Sequence, residues 1–145
     1  MRIFKLFGFC IFTLVFVPSC NNDNNDDNST SECDFDTIID LDLYEVPSPG
    51  FYTILNAEIE DECLAITFGA SGCDGESWEV QLVSDFPIVA GWTGGANLSL
   101  KLTNPEVCAA YFTKTYSFDL SDIHGDNIST MFSLEGWEGS LQIED

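Results

Sequence analysis

Residues 63–83, CLAITFGASGCDGESWEVQLV, restrict the fold of this chain more than any other stretch. Leu64, Ile66 and Phe68 alternate with Ala65, Thr67 and Gly69. After a Gly-rich join, Trp78, Val80 and Leu82 alternate with Glu79 and Gln81. A hydrophobic period of two places one face of a strand in a core and the other toward solvent. The join, Ser71-Gly72-Cys73-Asp74-Gly75, is made of residues that accept positive φ or bond their own backbone. The stretch therefore reads as two strands joined in a tight hairpin, at the centre of a small β-sandwich.

Residues 1–19 stand apart from that fold. Arg2 and Lys5 precede an apolar run, Leu6 to Val17, interrupted by Gly8 and Thr13, and the small Ser19 comes just before Cys20. This is the layout of a secretory signal peptide, too short and wrongly flanked for a membrane span. Val17-Pro18-Ser19-Cys20 resembles the cleavage box of bacterial lipoproteins, with Pro18 departing from the usual small residue or Ser. The resemblance implies cleavage before Cys20 and acylation of its sulfur and amine, an anchor through palmitate-type chains. Each buried methylene contributes about 0.8 kcal/mol, so two or more chains hold firmly where one does not. Asn21 to Asn28, NNDNNDDN, lacks any apolar residue and continues in the same character to about Ser31. Residues 20–32 are accordingly expected to be a lipidated cysteine and a disordered acidic tether. The segment resembles the acid-rich stretch after the lipidated cysteine of surface-exposed Bacteroidota lipoproteins. A plain hydrophilic spacer is the alternative, so the periplasmic and cell-surface faces of the outer membrane both stay open.

Residues 33–145 are enough for one domain with one core. Loss of residues 1–19 leaves two bases, Lys101 and Lys114, against 25 acids, a net charge of −23. Such a surface excludes nucleic acid, which needs a basic footprint, and argues against anionic lipid as a partner of the folded face. Self-repulsion that keeps the protein soluble near a membrane accounts for the acidity. Four cysteines remain after Cys10 and Cys20 are set aside: Cys33, Cys63, Cys73 and Cys108. An even number in an exported chain points to disulfides. Of the three pairings, Cys73–Cys108 and Cys33–Cys63 are preferred. Each closes a loop of about thirty residues or more, worth roughly 3–4 kcal/mol in the chain-entropy model. A zinc site is disfavoured by the absence of a CxxC pair and by the presence of one histidine, His124.

The rest of the domain repeats the strand pattern. Residues 33–49 read as an edge strand or extended lead-in, with Asp36, Asp40 and Asp42 alternating with Ile39, Leu41 and Leu43. Phe51, Thr53, Leu55, Ala57 and Ile59 share one side of the next strand. Residues 84–95 form an apolar loop. In residues 97–103 Leu98, Leu100 and Leu102 face inward, and Ser99, Lys101 and Thr103 outward. Asn104-Pro105-Glu106 could instead cap a short helix over 104–111, and residues 107–112 and 115–120 read as separate segments, Tyr116, Phe118 and Leu120 facing inward. Ile128, Thr130, Phe132 and Leu134 share a face, and Leu141 and Ile143 form a last strand. About seven to eight short strands with polar turns indicate an all-β sandwich or barrel, and a small antiparallel sandwich is the preferred reading. The alternating strand before Ser71–Gly75, the run Trp78–Leu82, Asn104–Cys108 and Tyr116–Leu120 together resemble a group of small, uncharacterised Bacteroidota lipoproteins with a β-sandwich domain. The resemblance covers about residues 51–145 and implies a fold and a location, but no catalytic or ligand residues.

Chemistry finds little to build on. His124 lies in Asp122-Ile123-His124-Gly125-Asp126, where acidic neighbours favour imidazolium over a free base, and it reads as a solvated turn residue. Ser71 lacks the strand–GxSxG–helix context of a hydrolase. A carboxylate pair is inevitable among 25 acids and so is uninformative. Calcium is the ion best suited to the Asp74-Gly75-Glu76 and Asp122–Asp126 turns, although neither has EF-hand spacing, and turn-forming acids with no cofactor are the preferred reading. Trp78 reads as core. Trp92 and Trp137, each set among glycines, are the candidate ligand-binding residues: exposed, they would stack on sugars or anchor a protein partner; folded back, they would cover the core. The expectation is a non-catalytic outer-membrane lipoprotein, a binding module for an unknown protein or glycan. An accessory carbohydrate binder using Trp92 and Trp137 is the alternative, and a small hydrolase built on His124 is the third.

Overall fold

The computed structural model describes residues 33–85, 95–124 and 129–144. Residues 1–32, with Cys20 and the tether, therefore lie outside the described residues, as do Trp92, Asp126 and Ile128.

The described residues form an all-β sandwich. One sheet has the order β1 (Phe35–Asp36), β7 (Ala110–Asp119), β4 (Cys63–Gly72), β3 (Thr53–Glu60). The other has the order β2 (Ile38–Ile39), β5 (Glu79–Ser84), β6 (Ala96–Thr103), β8 (Thr130–Leu134), β9 (Leu141–Ile143). These nine strands exceed the expected seven to eight because the chain spends residues 35–39 on two short edge strands, one in each sheet. Both sheets are mixed rather than wholly antiparallel: β1 runs parallel to β7, β2 to β5 and β6 to β8. Leu64, Ile66, Phe68 and Phe118 from the first sheet meet Leu82, Leu98, Leu100 and Leu102 from the second, all shut off from solvent. Phe68 sits against Trp78, Tyr52 and Tyr116, with ring centroids 5.9–6.1 Å apart.

The central stretch is central but is not a hairpin. β4 pairs with β3 and β7, and β5 with β2 and β6, so residues 73–78 carry the chain from one sheet to the other as an arch. Each strand keeps its alternation and turns its apolar face into the shared core. Such a pattern specifies the faces of two strands but not whether they are neighbours.

Five further expectations are corrected. Leu41–Glu45 is a short helix, α1, because Asp40 caps it, its Oδ1 accepting from Leu43 N–H at 2.9 Å. In β3 the register shifts between Ile54 and Asn56, so Ile54 joins Ala57 in the core while Leu55 and Thr53 turn outward. An extra residue in a strand reverses its face, and Phe51, ahead of the strand, is almost fully exposed. No helix forms over 104–111. Asn104 Oδ1 does accept from Glu106 N–H, but Asn104 Nδ2 is tied to Ser71 O and Cys108 to Cys73, which holds the segment extended until β7 begins. From Ala110 that strand runs unbroken, merging two segments that read as separate. Finally, Ser99 and Lys101 are buried: α1 and Glu135 cover the outer side of β6.

Lys101 shows how that cover is attached. Its Nζ donates to the carbonyl of Tyr44 at 2.8 Å and to that of Val46, at the end of α1, and lies 5.7 Å from the Tyr44 ring centroid. A cation at a helix C-terminus meets unpaired carbonyls and the negative end of the peptide dipoles.

Unfolding in urea should separate the two sides of β3 and β4. Phe68→Ala should cost about 3–5 kcal/mol as a core cavity. Leu55→Ala, at the outward bulge, should change stability by less than about 0.5 kcal/mol.

Candidate functional site

The arch is built from small and turn-forming residues because its backbone must wrap a side chain. Gly75 has φ of 73°, a conformation open to glycine, and its N–H points with those of Cys73 and Asp74 at one oxygen of Glu106. The Asp74 and Gly75 bonds measure 3.3 and 3.1 Å. The other carboxylate oxygen accepts from Ser77 Oγ at 2.9 Å and Ser77 N–H at 3.4 Å. Successive backbone N–H groups turned inward make a nest for an anion, and this nest is filled from within the chain. Desolvation pushes the Glu106 carboxyl up. The N–H groups of Cys73 and Gly75, the Ser77 hydroxyl and the Asp74 N–H outweigh it and bring the pKa down to about 2, from an ordinary 4.5. Two residues on, Cys108 closes the disulfide with Cys73, Cα–Cα 4.9 Å. Cys33 is bonded to Cys63 across 5.7 Å, so both preferred pairings are present. Lys114 lays its stem along Gly75 and reaches Glu76 at 3.0 Å, a carboxylate that raises its pKa.

Two clefts flank the segment that leads into β3. The first, about 330 Å³, is lined by Pro47, Ser48, Tyr52, Thr53, Ile54, Glu135 and Gly136. Tyr52 donates its hydroxyl to Leu100 O, and burial, with Glu135 nearby, pushes its pKa up to about 12. It is therefore no base or nucleophile at neutral pH. Glu135 accepts from Ser99 Oγ at 2.7 Å. The second cleft, about 290 Å³, joins Phe51 to Ser71, Asn104 and Glu106.

The residues singled out from sequence are scattered. His124 is half-buried rather than solvated, its Nδ1 3.1 Å from Thr130 Oγ1, and that hydroxyl belongs to a residue only 5% exposed. The pair fastens the 3₁₀ turn Ser121–Ile123 to β8 and does not open on either cleft. Ser71, at the end of β4, is far along the chain from His124, and no bond joins them. Asp74 Oδ1 accepts from Glu76 N–H, and Glu76 is paired with Lys114. Among the described residues no three His, Cys, Asp or Glu side chains gather as metal ligands. Trp137 is half-buried and packs on the core, its Nε1 buried beside Gly139. Stacking on a sugar would require the ring to leave that packing. Sequence reasoning missed Glu106. Its position two residues before Cys108 was the available signal, since the Cys73–Cys108 bond brings it against the turn.

No family model matches the chain, and no curated protein matches it. Among solved structures, it is similar to a Bacteroides vulgatus protein of unknown function, DUF1344, with 15% identity and a TM-score of 0.46, covering 77% of this chain and 55% of that one. It is also similar to a NigD-like immunity protein from Bacteroides caccae, with 10% identity and a TM-score of 0.50, covering 75% of this chain and 59% of that one. The chain thus spans little more than half the length of either structure. The second likeness bears on the fold alone.

The Glu106 latch gives a pH-dependent prediction. A carboxylate with a depressed folded pKa contributes stability that is complete above its unfolded pKa and is lost as pH falls through the folded one. Glu106→Gln should lower Tm at neutral pH, and the gap to the parent should close as pH falls from about 4.5 to about 2. Thermal unfolding across that range measures it.

Proposed function

We propose that the chain is a lipid-anchored, non-catalytic binding module of the outer membrane, held by Cys20 and displayed beyond the acidic tether. The observation that carries this reading is the pair of disulfides built into the sandwich, which suits an oxidising envelope compartment. The lipoprotein-like box at residues 17–20 supplies the anchor. Among the described residues His124 bonds Thr130 away from both clefts, the half-buried Tyr52 holds its proton, and Glu106 is engaged by the arch. The Bacteroides caccae protein of similar fold is named an immunity protein, a name in keeping with a passive module.

Labelling cells with an alkyne analogue of palmitate should mark the parent chain and leave Cys20→Ala unmarked. The parent should fractionate with the outer membrane and the variant with soluble protein. An unacylated parent of unchanged intact mass would overturn the reading. Protease shaving of whole cells then distinguishes the periplasmic from the surface face.

A further inference from the structure

Among the described residues, one long regular strand has an outer flank paired only at its end. β7 bonds β4 along its whole length, but on its other side β1 meets it only at Phe118 and Asp119. At Ser117 a side chain takes over the role of a strand. Asp34 Oδ2 accepts from Ser117 N–H at 2.8 Å, and Ser117 Oγ accepts from Asp34 N–H. Ser117 N–H therefore points away from β4, and by the two-residue period so do the N–H and C=O groups of Tyr111, Thr113 and Thr115. Among the described residues no strand lies beside them. The opposite edge, β3, is interrupted by its bulge.

The flank of β7 has both parts of a strand-binding groove. Beneath it Phe112 and Tyr116 are half-buried, and Phe35, 41% exposed, packs edge-on to Tyr116 at 5.5 Å. These rings offer contacts to alternate side chains of an added strand. The electrostatics select its charge. The chain has 25 acids and four bases. The two lysines among the described residues are both engaged, Lys101 on carbonyls and Lys114 on Glu76. Asp34 and Asp36 stand at one end of the open flank and Asp74 and Glu76 at the other. A second copy of so acidic a chain is repelled. Lys114 also opposes indiscriminate pairing. It lies opposite Phe68 in the register and so on the core side, and a charge turned inward on an edge strand is a known guard against sheet-to-sheet association.

We infer that the open edge of β7, from Tyr111 to Thr115, binds an extended cationic peptide segment of another protein by strand addition, with apolar side chains alternating onto Phe35, Phe112 and Tyr116. Main-chain bonds would hold the segment, and the pockets and acids would choose its sequence. The inference deepens the binding-module reading and rests on it.

The test uses the full-length chain in detergent, with two peptides as long as β7, one alternating Lys with Val and the other Glu with Val. The Lys–Val peptide should raise hydrogen-exchange protection of the Tyr111, Thr113 and Thr115 amides by about tenfold or more, less at high salt, and the Glu–Val peptide should not. Thr113→Pro and Thr115→Pro remove outward N–H groups without touching the β4 ladder. They should abolish the effect while β4 amides stay protected. Protection confined to β3, equal response to both peptides, undiminished binding by Thr113→Pro, or peptide-independent protection that grows with protein concentration would each overturn the inference. Acyl labelling of the same preparations separates its failure from failure of the anchored-module reading.

Discussion

Everything in this sandwich depends on one crossing. Between Gly72 and Glu79 the chain leaves one sheet and enters the other, and no backbone ladder spans that gap. A hairpin turn is held by the strands it joins. An arch has no such support and needs bonds of its own. Here they come from the segment before β7: Cys108 supplies a covalent tie, Glu106 fills the curved backbone with an ionised carboxylate, and Asn104 bonds back to Ser71. The fastening does three things at once. It fixes the spacing of the two sheets, seats Trp78 on Phe68, and delivers the chain to the start of β7 in the register that pairs Ala110 with Gly72.

A chain this acidic has few cations to spend, and both described lysines work internally. Lys101 ties α1 over the outer side of β6, and Lys114 joins β7 to the arch. Lys101 is buried on backbone carbonyls, whereas the Lys114–Glu76 pair is exposed, a kind of contact worth little in water. The stem of Lys101 fills space under the helix while its head satisfies carbonyls that would otherwise be unpaired. A buried amine thus joins the backbone bond from Asp40 to Ser84 in fastening the covering layer, while the acids are left to shape the outer surface.

Much of the fold was legible because strand alternation reports burial directly. Leu64, Ile66, Phe68, Leu82, Leu98, Leu100, Leu102 and Phe118 all lie where their period places them. Count and compartment pointed to two disulfides without choosing among three pairings, and the preferred one is present. What was not legible shares one cause: local pattern cannot report partners. Alternation in β4 and β5 is the same for an arch as for a hairpin. The bulge at Leu55 inserts a residue with no compositional mark, so strict alternation puts Thr53 and Leu55 on the same side as Ala57, which they do not share. Lys101 looked like a solvent residue because nothing in residues 97–103 shows that a helix comes to rest on it. Asp40 read as one beat of a strand, although an Asp three residues before Leu43 is also a helix cap. Glu106 was one acid among many until the disulfide placed it against three N–H groups.

The bond between Cys33 and Cys63 changes how a pull from upstream would enter the domain. Without it, tension on the leading segment would strip β1 from β7 one residue at a time, the weakest way to load a sheet. With it, the force passes through sulfur into the first residue of β4, a strand flanked by neighbours on both sides. Such a load would then be shared by the two ladders of β4 rather than borne by the two-residue β1 alone.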